Sequence, residues 1–557
     1  MPVIESSKPS PSSDTEAPAA SRSSLPVVVA GVLATLISAL AVWFVWREGW
    51  TLYYGDAEAH LNIGRRVVES RTPGYRQLGT SWLPMLHILM LPLVSRDWLW
   101  HNGLAGAVPV SVCFVAGVTF FFAALRRVYA SAWAGAVGAA LYALNPNTLY
   151  LQSIPMTEVV FFAALATVLY FTVRFSETQS LWSAAGAGAA ASFGAFTRYD
   201  GWFLIPFVAV YFLFTAQRRF RAALVFGVLA SVGPLLWLWF NWWVYDNVLE
   251  FYNGAASAKA IQRGLPYPGK GDWQVAALYY GWAVRACAGA PLFFLGAAGV
   301  TVALWKRALW PVLLLALPPL FYVWSVHSSD TPIHLFNLPP HGIYNSRYGI
   351  ATLPLLALGG AALATIGRWR WIGAVAVLAL CTAPWILSPR PDTWITWKES
   401  QYNSVARRAW SKQAAAYLAA HYHAGEGVFT SFGDITSIYR QAGIPLADTL
   451  TGDNGLEFDA AHLRPELALW EEWAVVMGGD QVQTTLNHAR RRGTNYELMQ
   501  RIIVPYAPVI EIWERHTAPD KDPSAVVQPP DPMPASEFPC LYRHCRDENP
   551  LPESPRS

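Results

Sequence analysis

Residues 25–66 read "LPVVVAGVLATLISALAVWFVWREGWTLYYGDAEAHLNIGRR". The first part is uncharged from Leu25 to Trp46, long enough to cross a bilayer core that takes roughly 20 apolar residues. The chain then turns polar, and Asp56, Glu58 and His60 follow soon after the apolar run ends. The leader before it, residues 1–24, is rich in Ser, Pro and Ala and reads as disordered. No small-residue cleavage site follows the run, so it reads as an uncleaved first span.

The rest of the chain repeats this alternation. The 557 residues are 54% hydrophobic and 14% charged, against about 25% charged in a soluble domain. The deficit sits in charge-free runs: Gly103–Leu125, Val128–Thr157, Val159–Val173, Ser180–Thr197, Gly201–Gln217, Ala222–Tyr245, Ala286–Trp305, Ala308–Ser329, Tyr348–Gly367 and Trp371–Pro389. With the first, these make about 11 candidate transmembrane helices and an α-helical polytopic membrane protein. Arg126–Arg127, "RRFR" at 218–221, Lys306–Arg307 and Arg368–Arg370 fall on one side if every run crosses. By the positive-inside rule that side is cytoplasmic and holds the N-terminus. Segments 47–102, 246–285 and 330–347 then lie outside. A net charge of +3 with no polybasic tract gives no sign of nucleic-acid binding. The 27 Trp and 24 Tyr suit aromatic belts at the two interfaces.

An odd number of spans places the tail outside. Residues 397–516 change character: "GVFTSF" and "WAVVMGG" read as short buried strands, and Ala406–Ala424 and Gln481–Arg492 as helices. "IIVPYAPVIEIWER" reads as a closing strand pair, which gives a small extracytoplasmic α/β domain. Residues 517–557 are Pro-rich and read as disordered. Cys113, Cys287 and Cys381 lie in apolar runs and read as packing residues. Cys540 and Cys545 are placed to pair if the tail is extracytoplasmic.

Ionisable groups near membrane depth call for a reason. Residues 56–71 look like an amphipathic helix lying along the membrane, with Leu61, Val67 and Val68 toward lipid or protein. On it Asp56 and His60 share a face and Glu58 points away. The local alternative makes Asp56 the helix N-cap. Glu158, in "SIPMTEVVFF", sits at the outer start of a span, where the helix dipole favours an acid. Arg198 and Asp200, in "FTRYDGWF", interrupt a stretch that fits a hairpin with its tip outward, or else form a structural pair. Arg347 and Tyr348, in "IYNSRYGIATLPLLAL", stand where the last long outer loop enters a span, where a snorkelling Arg is also at home. Acids and arginines beside apolar walls suit a lipid phosphate, since guanidinium binds phosphate well and a carboxylate can serve as general base. No P-loop, dinucleotide fingerprint, nucleophile elbow or zinc motif is present.

The order of these motifs resembles the GT-C membrane glycosyltransferases that use polyprenyl-phosphate sugars, in the branch of the protein O-mannosyltransferases and the aminoarabinose transferase of lipid A. The resemblance covers about residues 25–390. It rests on "YYGDAEAHLNIGRRVVES", "PMTEVVFF", "FTRYDGW" and "SRYGIATLPLLAL". It implies a polyprenyl-phosphate sugar donor, a lipid, glycan or protein acceptor, and inversion at the sugar. Asp56 takes the place of the base and Glu158 that of a second acid. Arg347 contacts the phosphate, with Arg198, Tyr348, Asp200, Glu58 and His60 as further binding candidates. A divalent cation is compatible with these acids but not implied. "DAEAH" also resembles the first loop of oligosaccharyltransferase subunits, whose Trp-Trp-Asp-Tyr-Gly motif is missing; the nearest string is "NWWVYD" at 241–246. A lipid transporter or flippase is the alternative of another class, although no internal repeat supports it.

Overall fold

The computed structural model describes residues 24–262, 264–390, 393–491 and 495–515. Residues 1–23 of the leader and all residues from 516, with the tail 517–557 and its Cys540 and Cys545, lie outside the described residues. Among the described residues six helices are long and apolar enough to cross a membrane: α1 (Leu25–Arg47), then Leu104–Val128, Glu158–Thr178, Arg219–Tyr245, Leu309–Ser328 and Arg370–Leu387. A seventh crossing forms if Trp273–Ala288 and Ala290–Trp305, bent by 110°, count as one. The bend falls at Gly289, whose φ of +77° suits glycine, and Pro291 then starts the next helix. The protein is a helical polytopic membrane protein.

The other charge-free runs resolve into shorter helices. Val128–Thr157 is interrupted: Ala132–Ala143 ends, and Asn145 caps Pro146–Leu151 by accepting from the Asn147 N–H. Val159–Val173 extends to Glu158–Thr178, since Arg174 and Glu177 sit within the helix end. Ser180–Gln217 forms the expected hairpin, Leu181–Ala195 and Tyr199–Thr215, with Arg198 at its tip. Tyr348–Gly367 begins in the 3₁₀ turn Ser346–Thr352 and continues as Leu353–Leu363. Small residues let helices meet closely, as membrane bundles require. A Cβ added at Gly299 would lie 2.0 Å from the Gly359 carbonyl oxygen.

The amphipathic helix is α2, Gly55–Val68. It is not a surface helix: every residue from Ala57 to Arg66 is buried. Its N-cap position is Tyr54, so Asp56 lies inside the first turn rather than capping it. Bundle packs on one side of α2 and the C-terminal segment on the other. Arg66 pairs with Asp453, the Leu446 N–H donates to Glu69 at 3.1 Å, and Arg71 meets Glu471 at 2.6 Å.

The C-terminal segment opens with α3, Ile395–His421, and continues into a five-stranded sheet. The strands are β1 (Val428–Thr430), β2 (Thr449–Leu450), β3 (Trp473–Met477), β4 (Tyr496–Ile502) and β5 (Ile510–Arg515), in the order β2-β1-β3-β5-β4. β1 runs parallel to β2 and β3, and β5 antiparallel to β3 and β4. Side chains of a strand alternate between faces. Trp473 and Val475 join the main core, whereas Ala474 and Val476 join a second core with Phe429, Leu450 and Val482. Burial on both faces explains why "WAVVM" is an unbroken apolar run.

Candidate active site

The site is built where four chain breaks meet. The first turn of α2 presents Asp56, and Glu158 opens the helix Glu158–Thr178. Arg198 and Asp200 stand at the hairpin tip, and Arg347 sits in the 3₁₀ turn Ser346–Thr352. Each break sits next to a helix start, so backbone N–H groups and acidic side chains gather at one end of the bundle.

Arg347 is the hub. Its Nη2 donates to Asp56, its Nε to Glu158 at 3.2 Å, and its Nη1 to Glu399 at 3.0 Å. Arg198 extends the network. Its Nη1 donates to the Thr157 hydroxyl at 2.7 Å and lies 3.3 Å from Glu158, while its Nε lies 3.3 Å from Asp200 and its Nη2 donates to the Tyr322 hydroxyl. Tyr54 and Tyr348 lie under the Arg347 guanidinium at 4.9 and 5.4 Å, distances at which cation–π attraction operates. Two guanidiniums thus face four carboxylates. One oxygen each of Glu158 and Asp200 is buried without a hydrogen-bond partner, a costly state that a ligand donor would relieve.

Asp56, His60, Glu158, Arg198, Asp200, Arg347 and Tyr348 all line one cavity of about 610 Å³, a size suited to a small-molecule site. Its far wall is apolar, with Trp202, Phe203, Phe321 and Trp324. Lys259 and Asp330 line it as well. Among the described residues no group of three or more His, Cys, Asp or Glu is arranged to hold a metal ion.

Two of the sequence candidates stand apart from the hub. Glu58 does not line the cavity. It is 1% exposed and accepts from Arg440 Nε at 2.7 Å, Arg440 Nη2 at 2.9 Å and Asn62 at 3.2 Å. Burial alone would raise its carboxyl pKa, but Arg440, Asn62 and Arg407 overrule that and lower it. Glu58 therefore joins α2 to the C-terminal segment. His60 does line the cavity, with its ring 4.6 Å from Trp82 and its Nδ1 2.9 Å from His87 Nε2. Burial, then Arg347 and Arg198, push its pKa down to about 3, so the ring is neutral.

Sequence reasoning missed Glu399, Tyr54, Thr157 and Tyr322. A signal for Glu399 existed. Along α3 the buried residues include Thr396, Glu399, Ser400, Ser404, Arg407 and Ser411, a polar stripe at helical spacing that marks a polar, packed face.

Residues 98–243 match the family model described as dolichyl-phosphate-mannose-protein mannosyltransferase. That segment holds Glu158, Arg198 and Asp200 but neither Asp56 nor Arg347. No curated protein sequence matches the chain. The fold is similar to the crystal structure of ArnT from Cupriavidus metallidurans bound to undecaprenyl phosphate, at a TM-score of 0.53 and 15% identity, covering 88% of this chain and 98% of that one. The apo structure of ArnT gives a TM-score of 0.51 and 14% identity over 87% and 98% of the two chains. The chain is thus similar to the protein mannosyltransferase family over residues 98–243 and to ArnT in its fold.

Proposed function

We propose that the protein transfers one sugar from a polyprenyl-phosphate donor to an acceptor hydroxyl on the extracytoplasmic side, with inversion. The observation that carries this reading is the single cavity that joins Asp56, Glu158, Arg198 and Arg347 to an apolar wall. The prenyl chain lies along Trp202, Phe203, Phe321 and Trp324, and the phosphate faces the two guanidiniums. ArnT bound to undecaprenyl phosphate supports a lipid phosphate in this fold.

Arg347 holds Asp56 at rest. The side chain of Asp56 is 37% exposed, whereas those of Glu158 and Glu399 are nearly covered. Asp56 is therefore the partner that an incoming phosphate displaces, and the freed carboxylate takes the proton of the acceptor hydroxyl as general base. Arg347 and Arg198 stabilise the charge that develops on the leaving phosphate. Glu158 holds both guanidiniums in place and offers its open oxygen to the sugar or acceptor.

In this reading the short helices complete eleven crossings over residues 25–390. The N-terminus is cytoplasmic, and residues 397–516 form an extracytoplasmic domain. The test is transfer activity of Asp56→Asn in membranes. We expect a loss of about 10²–10⁴-fold, the usual contribution of a positioned base, with protein level unchanged. Wild-type turnover in that variant sinks the base assignment. Flux of labelled lipid in proteoliposomes with no sugar transfer by the wild type would replace the whole reading with a transporter.

A further inference from the structure

Glu399 lies outside the cavity lining, yet it is 0% exposed and sits directly behind Arg347. Its two oxygens take four donors from three consecutive residues. Oε1 accepts from the Asn345 N–H at 3.1 Å and Arg347 Nη1 at 3.0 Å, and Oε2 from the Ser346 hydroxyl and the Arg347 N–H at 3.2 Å. The turn it grips needs holding, because Asn345 sits at φ +53°, a left-handed conformation that non-glycine residues seldom adopt. α3 is itself anchored at Thr396, one turn before this contact, and at Ser400, directly after it. Both the backbone N–H and the hydroxyl of Thr396 donate to Asn147 Oδ1 at 3.0 Å, and Ser400 shares a 2.8 Å hydrogen bond with Tyr150. Asn147 and Tyr150 belong to the short helix Pro146–Leu151, inside the bundle.

We propose that Glu399, carried by the first helix of the C-terminal segment, is a positioning residue that aims the Arg347 guanidinium at the donor phosphate. This inference rests on the functional reading above. A carboxylate is chemically suited to the task. It is acceptor-only and takes backbone, hydroxyl and guanidinium donors at once. The asymmetry around Arg347 fits as well, with Glu399 fixed and saturated while Asp56 is exposed and exchangeable. Glu399 acts through Arg347 and the turn, and touches no reacting atom.

The test measures binding of undecaprenyl phosphate to the purified full-length protein in detergent, for wild type, Glu399→Gln, Arg347→Lys and the double variant. The Gln variant keeps the shape but presents an NH₂ to donors. We expect Glu399→Gln to weaken binding about ten- to a hundredfold, the range for hydrogen bonds to charged groups. In the Arg347→Lys background, where the fork is already gone, the same change should cost less than about threefold. Equal factors in both backgrounds would mean a merely structural role and overturn the proposal. Unchanged or tighter binding in Glu399→Gln overturns it too, as that is the result if the carboxylate only dilutes the positive charge. Should Arg347→Lys not fold, Ser346→Ala takes its place: the proposal expects it to weaken binding in the wild-type background and to add little to Glu399→Gln. Independent, additive effects again overturn it. A wild type that does not bind undecaprenyl phosphate brings down the functional reading and this inference together. A wild type that binds, with an indifferent Glu399→Gln, removes only the inference.

Discussion

Replacing Arg347 by Ala tests the hub most directly. Arg347 is 7% exposed and holds three carboxylates. Asp56 is partly exposed, and its share is about 1 kcal/mol or less. Glu158 is buried but keeps Arg198 at 3.3 Å. Glu399 is buried and loses its guanidinium partner, and stripping a buried carboxylate of its cation costs about 3–5 kcal/mol. A loss of about 3–5 kcal/mol lowers the apparent melting temperature at pH 8 by about 5 °C or more. The loss should shrink on acidification. Burial already holds the Glu399 pKa above its usual value, against the lowering pull of Arg347. A group whose folded pKa is raised costs no stability below its unfolded pKa, about 4.3, and costs increasingly as pH rises through the folded value. Without Arg347 that folded value moves further up, so protonation relieves the variant at a pH where the wild type is unaffected. Melting of detergent-solubilised protein, followed by tryptophan fluorescence at pH 8 and pH 5.5, reads the effect. The gap between variant and wild type should be wide at pH 8 and narrow at pH 5.5. Adding Glu399→Gln to Arg347→Ala should raise stability at pH 8, since one uncompensated charge goes. A gap that is the same at both pH values, or a further loss on adding Glu399→Gln, refutes the reasoning.

Three further outcomes follow from the same geometry. Glu58→Gln leaves Arg440 without its carboxylate and should cost about 3 kcal/mol at pH 7. The Glu58 pKa is lowered on folding, so its contribution is present above about pH 4.3 and lost as pH falls through the folded value; the gap between the melting curves of variant and wild type should narrow as the pH falls below about 4.3. His60, held near pKa 3 against about 6.5 when unfolded, takes up its proton on unfolding, so stability falls as pH drops below about 6.5. His60→Gln should flatten that part of a melting-temperature profile, and an unchanged slope counts against a neutral buried imidazole. Gly299→Val drives a side chain onto the Gly359 backbone, already 2.0 Å from a Cβ. It should destabilise by about 1–3 kcal/mol or more, read as a lower yield of folded protein and a lower melting temperature.

The sequence was legible where charge and apolarity alternate cleanly. The opposite facing of Asp56 and Glu58, the hairpin at Arg198 and the helix start at Glu158 follow from helical period and charge placement. Reading spans by absence of charge was less exact, because uncharged polar residues also break helices. Asn145 and Asn147 both donate to the Cys287 carbonyl at 2.9 Å and end a run that charge alone reads as continuous. Burial of α2 was not legible either. Its polar face looks solvated in sequence, and distant residues such as Arg407, Arg440 and Asp453 cover it. Glu399 follows Lys398 and resembles any surface acid until the polar stripe of α3 is seen as a packed face.

The two faces of α2 limit how freely this protein can be recombined. Asp56 and Glu58 are two residues apart on one rigid helix that rises about 1.5 Å per residue. One looks into the cavity, and the other is bolted to Arg440 of the C-terminal segment. A chimera that imports residues 422–515 from a relative therefore also imports a new seat for Asp56. It can keep its alignment only if the partners of Glu58, Arg66 and Glu69 travel with the graft.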